Sequence, residues 1–463
     1  MLSTRAGRTR TVLLTAGVLL TLGLGGYVLS RSSWVRAKFA HDADNPDEIA
    51  KLGDAKLSVE PLADPTVGWP QWRGPKRDGR APAGPLRTDW DKIPPKPRWS
   101  VPCGGGYSSL AVVGGKVYAH DRTAGGERVM CLDATTGSKL WEYPYAADYS
   151  GFRMGYATGP RATPTVVGNR VYAVGAMGRF LCLESPPDGG QPHLLWEHDL
   201  LGEFGASMPS WGVSCSPLVE SGVVIVQPGG KNGSVVAFDS STGEVRWKAG
   251  ANPGGYSSPV AATVGGVRLI YALTGDAFLC IRASDGEVMG RYDWKTDNFG
   301  NIATPVVIDD YVFISSAYNK GCALLRVVPT GDRVTLEEVY ARSNRVLRSH
   351  HSTPVYRDGF LYGFDGTRDT ILKCVDFRKG TDAPGWADCD MRSGTLILAD
   401  KYLVILTEKG NLALVEATPD EYRLVASVPS GLSGSEIWSA PVLVDGQLYL
   451  RGSDKILCLD VRP

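Results

Sequence analysis

The sequence predicts an all-β protein: an eight-bladed β-propeller of four-stranded antiparallel blades, its ring closed by an N-terminal strand and preceded by one transmembrane helix. Three observations carry this expectation. Turn formers and aromatics are abundant, with Gly 56, Pro 30, Trp 12 and Tyr 19 in 463 residues. Gly at about 12% against a usual ~7% argues against a helical bundle. A strand–turn–strand pattern recurs at intervals of roughly 40–55 residues, the period of a propeller blade. The last copy breaks off early, and an orphan strand near the N-terminus supplies the missing piece.

Along the chain, residues 11–30 carry no charge and follow Arg5, Arg8 and Arg10. Twenty residues at about 1.5 Å rise span about 30 Å, the hydrocarbon thickness of a bilayer. A secretory h-region is shorter and ends in a small-x-small site; here the run ends in Tyr27-Val28-Leu29-Ser30-Arg31. No cysteine precedes Cys103, so no lipid attachment site is present. Residues 1–30 are therefore expected to be a signal anchor, a cleaved signal peptide being the alternative, with the remainder on the exported, periplasmic side. Residues 31–96 read as a Pro-rich tether. Within it the segment 68–79 holds Trp69 and Trp72, which are costly to leave in water and are expected to dock on the body.

The propeller is expected over residues 97–463. Clear copies of its first unit are Ala162-Thr-Pro-Thr-Val-Val-Gly-Asn-Arg-Val-Tyr172, Ala303-Thr-Pro through Phe313, Ser352-Thr-Pro through Tyr362 and Ser439-Ala-Pro through Tyr449. Weaker copies begin near 109, 216, 258 and 394, which makes eight. The second unit appears at Met130–Glu142 and Val236–Lys248, where Asp133 and Asp239 each lie eight residues before Trp141 and Trp247. Asp-x-x-Thr-Gly is a hairpin turn in which Asp bonds its own backbone and Gly takes the positive φ. The Trp then opens the outer strand and packs between blades. The final copy stops at Cys458-Leu-Asp-Val-Arg-Pro463, while Pro97-Arg-Trp99-Ser-Val101 stands before the first. Pairing these two removes the exposed edges of an open sheet.

Basic and acidic residues tie at 49 each, which argues against a nucleic-acid partner recognised through a basic field. Nine cysteines include no Cys-x-x-Cys and no adjacent pair, which removes zinc ribbons, thioredoxin-like motifs and c-type haem attachment. Cys131, Cys182, Cys280, Cys374 and Cys458 share one strand position and read as small buried hydrophobes.

These repeats resemble the pyrroloquinoline-quinone-type (PQQ-like) propeller family, which includes exported quinoprotein alcohol dehydrogenases and BamB. The Asp-x-x-Thr-Gly-x-x-x-Trp runs at 133–141 and 239–247 look like its tryptophan-docking motif, and the resemblance covers roughly residues 69–460. Gly68-Trp-Pro-Gln-Trp-Arg-Gly-Pro75, Met208-Pro-Ser-Trp-Gly-Val213 and Gly255-Tyr-Ser-Ser-Pro259 resemble a membrane-anchored subgroup. The resemblance implies two functions. One is a non-catalytic binding or assembly scaffold of the cell envelope, a monomer with a protein or glycan at its funnel face and the membrane at its N-terminal helix. The other is a divergent PQQ-dependent dehydrogenase with calcium. The family's enzymes carry a vicinal disulfide beneath the quinone, a calcium held by carboxylates and amides, and a catalytic Asp. None of these matches positions here, so no catalytic residue and no metal ligand is assigned.

Short turns are expected on one propeller face and long inter-blade segments on the other, around the channel mouth. Those segments hold the candidate binding residues Arg153, Arg161, Trp211, Tyr256, Asn301, Arg348, His350, His351 and Trp438. The alternative is that these side chains line a wet funnel and bond to one another. Trp211 or Trp438 could stack on a quinone, with the arginines on its carboxylates. His350 and His351, adjacent in an extended segment, are expected to point to opposite sides and not to share a metal.

Overall fold

The computed structural model describes residues 42–463, apart from 56, 58–67, 82, 83, 85, 151, 153–158, 188, 344, 345, 388 and 435. The expected membrane helix at 11–30 lies outside the described residues. Among the described residues no helix is long and apolar enough to cross a membrane.

Eight antiparallel sheets follow one another around a ring. Blade 1 consists of Ala111–Val113, Lys116–Thr123, Gly126–Asp133 and Lys139–Tyr145. Blades 2, 3, 4, 6 and 7 begin at Thr165–Val167, Leu218–Glu220, Val260–Val264, Val355–Arg357 and Gly394–Ala399. Blade 5 begins at Val306–Ile308 and blade 8 at Val442–Val444. First strands of neighbouring blades touch, as Ala111–Val113 touches both Thr165–Val167 and Val442–Val444, so they line the central channel.

The repeat residues explain the ring. In four blades the hydroxyl before the repeat proline satisfies a backbone amide of the neighbouring blade. Ser109 N donates to Thr163 Oγ1 at 3.1 Å, Thr163 N to Ser216 Oγ at 2.9 Å and Ser216 N to Ser258 Oγ at 2.9 Å. Thr304 N likewise donates to Thr353 Oγ1 at 3.0 Å. In the second unit, Asp133 Oδ1 accepts from Thr135 N at 3.0 Å and Thr136 N at 2.8 Å, which folds the turn. Each outer-strand tryptophan docks on the turn of the next blade. Trp99 Nε1 donates to the Ala134 carbonyl at 3.0 Å, and Trp247 Nε1 to Ala283 at 3.0 Å. The turn glycines seat the indoles: at Gly137, where φ is +75, a Cβ would stand 2.7 Å from the Trp99 ring. Trp386 departs from the plan. The outer strand of blade 6 is only Thr381–Asp382, and Trp386 sits in the one-turn 3-10 helix Pro384–Trp386, yet its Nε1 still reaches the Thr418 carbonyl at 2.8 Å. The five equivalent cysteines are buried, and all nine are free thiols.

The ring closes as expected. Lys96–Pro102 pairs with Lys455–Asp460, placing Trp99 opposite Cys458. Both turn sets share one face, since Ala134 N donates to Gly115 O at 2.9 Å and Val461 N to Gly446 O at 3.0 Å.

The stretch before residue 96 contains more order than its prolines suggest. Ala43–Asp44 adds a fifth strand to blade 5, with Ala43 opposite Ala341. The helix Pro46–Asp54 (α1) follows. Asn45 Oδ1 accepts from Glu48 N at 3.2 Å as its cap, and Leu52 is buried against blade 5. The docking segment then enters the channel itself. Trp69 forms a bridge with Val112, close to the short-turn face. Val166 N donates to Pro70 O at 2.8 Å. Trp72 Nε1 donates to Thr304 Oγ1 at 2.9 Å, at the opposite end of the inner strands. Arg73 donates to the Thr353 and Pro354 carbonyls at 3.0 and 2.8 Å, and Arg77 to Ser216 and Pro217 at 2.9 and 2.7 Å. The chain returns along blade 7, where Leu398 N donates to Gly79 O at 2.9 Å. Residues 69–81 thus plug the channel from the short-turn face and bond to the inner strands, or to the residues leading into them, of six blades.

Candidate functional site

Above the plug the funnel opens into a cavity of about 1230 Å³ whose floor includes Trp72. Its wall is an aromatic collar. Tyr107 stacks on Trp438 with centroids 4.7 Å apart, and Trp438 meets His351 at 3.9 Å. His351 stacks on His350 at 3.8 Å, and His350 meets Tyr318 edge-on at 5.2 Å. Tyr318 lies 6.1 Å from Trp211, which lies 5.4 Å from Tyr256. The expectation that the histidines diverge is corrected here. Leu347 has a φ of +42, and His350 Nε2 bonds Tyr318 OH at 3.0 Å. The segment is not a regular strand, so the two imidazoles lie face to face.

Electrostatics at the collar follow from the packing of its rings on one another. Desolvation lowers His350 to about 4. Desolvation, with His350 beside it, holds His351 well below the usual imidazole range. Both rings are therefore neutral at pH 7. Arg161 projects into the cavity with its guanidinium 5.3 Å from the Tyr107 ring centre, and donates to the Gly159 carbonyl at 2.6 Å. Burial lowers its pKa. Trp438 Nε1 donates to Glu408 Oε1 at 2.9 Å and Tyr107 OH to Glu436 Oε2 at 3.1 Å, so two carboxylates that also line the cavity hold the collar rings in place.

Of the sequence candidates, Arg161, Trp211, Tyr256, His350, His351 and Trp438 line this one cavity. Arg153 lies outside the described residues. Arg348 is not spare: its Nε and Nη2 bond the two Asp365 oxygens at 2.9 and 3.0 Å, away from the cavity. Asn301 is fully buried and structural. Its Nδ2 donates to the Thr274 and Trp294 carbonyls at 2.7 and 2.9 Å, and its Oδ1 accepts from Ser316 Oγ at 2.7 Å. Sequence reasoning missed Tyr107, Tyr318 and Glu408. The run Gly104-Gly105-Gly106 was a usable signal for Tyr107, because glycines mark a close backbone approach; a Cβ on Gly106 would meet the Pro160 carbonyl at 2.8 Å.

Arg161 is the one member of the three suggested arginines that the structure shows facing the cavity. No two cysteines adjoin in the sequence, and among the described residues no three His, Cys, Asp or Glu side chains converge as metal ligands.

The family described as outer membrane protein assembly factor BamB matches residues 99–190 and 187–383. Comparison with curated proteins returns no match. Among solved structures, the quinohemoprotein alcohol dehydrogenase ADHIIG from Pseudomonas putida HK5 is similar with a TM-score of 0.57 at 14% identity, over 91% of this chain and 82% of that one. The computationally designed Ika8 protein gives 0.51 at 11% identity, over 78% and 98%. BamB from Moraxella catarrhalis gives 0.40 at 14%, over 79% and 99%. At such identities the structural likeness concerns the fold alone.

Proposed function

This chain belongs to the PQQ-like repeat family described as outer membrane protein assembly factor BamB, and from that premise we propose that it is a non-catalytic binding scaffold of the cell envelope whose working face is the funnel. The observation that carries the reading is the pairing of a plugged channel with an aromatic collar. Trp72, Arg73 and Arg77 close the far end, so the funnel is a blind cup and not a passage. Its wall offers flat apolar surfaces on rigid loops, the usual makings of a binding site. The two collar carboxylates are engaged by the collar itself. Glu408 and Glu436 accept from the collar, and both imidazoles are held neutral, with no carboxylate bonded to either among the described residues. In this reading the N-terminal segment tethers the protein to the membrane on the exported side and the funnel receives an envelope component.

The test is a titration of the purified chain with PQQ and calcium, read by absorption and by melting temperature. A scaffold gives no spectral shift and no stabilisation. A saturable shift accompanied by dye-linked alcohol oxidation would overturn the proposal in favour of a quinoprotein dehydrogenase.

A further inference from the structure

We propose that the funnel binds a neutral linear oligosaccharide, its sugar rings laid against Trp211 and Tyr318. This rests on the scaffold reading and names the ligand class of the same site.

Three features of the cavity converge on that chemistry. The first is shape. The lining runs from Trp211, between blades 2 and 3, across the mouth to Leu424 on the outer strand of blade 7, Leu424–Pro429. The site is therefore a cup with a radial groove, suited to a chain longer than one ring. The second is the wall. The C–H face of a pyranose carries partial positive charge and is attracted to the negative face of an aromatic ring. Trp211 and Tyr318 supply such faces, while Tyr107, Trp438, His351 and His350 stack on one another and turn their edges to the cavity. Tyr318 is held there at a φ of +55, a strained conformation for a non-glycine residue that fixes one platform in place. The third is charge. The lining sets Arg161, Arg368, Arg392 and Lys409 against Asp369, Asp390, Glu408 and Glu436, so it has no dominant sign. Between them stand hydroxyls such as those of Ser214, Ser352 and Thr367, each able to donate and accept. A polyanion or polycation would find no field to draw it; a polyhydroxylated neutral chain finds both partners it needs.

An extended peptide is the competing occupant, and the groove offers it little. Peptides commonly dock by adding a strand to a free sheet edge. The third strand of blade 6, Ile371–Asp376, would be that edge beside the groove. Its Leu372 N already donates to Met391 O at 3.0 Å, and its Cys374 O accepts from Ala383 N at 2.8 Å. The connection to blade 7 therefore occupies the edge.

The experiment is calorimetric titration of the full chain with cellohexaose, chitohexaose and maltohexaose, and with the matching disaccharides, with tryptophan fluorescence as a second readout. The expected result is saturable binding of at least one hexasaccharide with a Kd below about 1 mM, about tenfold tighter than its disaccharide. Tyr318→Ala and Trp211→Ala should each weaken it at least tenfold. Trp211→Phe, which keeps a ring, should retain most of the binding and serves as the readout if the alanine variants fold poorly. Saccharide binding that is unchanged in Trp211→Ala and Tyr318→Ala overturns the proposal, as does no saturable binding of any hexasaccharide. Should the same protein instead bind an unstructured peptide in a manner lost in Trp211→Ala, the saccharide assignment fails while the scaffold reading stands. A quinone-dependent activity removes both.

Discussion

Replacing Trp99 by alanine tests the closure of the ring directly. The indole is 7% exposed. It packs on the Gly137 turn of blade 1, lies 5.9 Å from the Tyr449 ring and donates to the Ala134 carbonyl. Burying a side chain of roughly 200 Å² at about 25 cal/mol per Å² is worth roughly 4–5 kcal/mol, in line with the ~3–5 kcal/mol of measured Trp→Ala losses. The hydrogen bond adds about 1 kcal/mol at most. We expect Trp99→Ala to lower the unfolding free energy by about 3–5 kcal/mol, read from the midpoint of urea unfolding at constant slope. A double-mutant cycle sharpens the claim. Gly137→Ala forces an alanine into left-handed backbone, costing about 1–2 kcal/mol in any background, and also drives its Cβ to 2.7 Å from the indole. In the Trp99→Ala background only the backbone cost remains, so the two changes should couple by at least about 1 kcal/mol. A Trp99→Ala loss below about 1 kcal/mol, or strict additivity with Gly137→Ala, would mean that the 96–102 strand is a decoration and that blade 8 is held by other contacts.

Two further perturbations address the plug and the buried titratable groups. Arg73→Lys keeps the charge but cannot span the Thr353, Pro354, Arg77 and Asp78 carbonyls that the guanidinium now bonds; it should cost about 1–3 kcal/mol in urea unfolding and speed hydrogen exchange at the start of blade 6, and unchanged exchange there would show that the plug does not brace that strand. His120 is fully buried beside Tyr145, Glu127, Asp121 and Arg451, and desolvation lowers it to about 4 from an ordinary value near 6.5. Its folded pKa lies below the unfolded one, so its contribution is fully present above about 6.5 and is lost as pH falls through the window down to about 4. The loss is on the order of 3 kcal/mol. Unfolding free energy measured from pH 7 to 4 should therefore drop more steeply in the native chain than in His120→Gln, and parallel curves would refute the assignment.

How far the sequence reached is set by where each residue's partner lies. The blades were legible because their determinants are local or repeat at fixed columns. Ser/Thr-Pro places a hydroxyl against the next blade, Asp-x-x-Thr-Gly folds its own turn, and Trp follows at a constant offset, so each copy corroborates the others. The orphan Trp99 strand and the truncated last repeat were legible for the same reason. The helix at Pro46–Asp54 also had a local signal, in Asn45-Pro46-Asp47-Glu48: a cap, a proline at the first turn and two early acids. The count of prolines around it masked that signal. The funnel was half legible. Loop position alone selected Trp211, Tyr256, His350, His351 and Trp438, because long connections in a propeller converge at the mouth. It could not separate Arg161 from Arg348, since both are arginines in such loops. What distinguishes them is Asp365, which lies 17 residues beyond Arg348 and meets it only once blade 6 folds its second strand back on the channel. Asn301 was misplaced for a related reason: its amide completes carbonyls of blade 4 that no local pattern announces. The plug shows the limit most clearly. Two tryptophans in a polar stretch told that the segment must bury something, a one-body argument from solvation. That it would bury Arg73 and Arg77 as well depends on the inner strands of blades 3 and 6, each presenting carbonyls to a guanidinium that threads between them. A ring of carbonyls is a product of eightfold assembly, and only the assembled ring makes a buried arginine there stable.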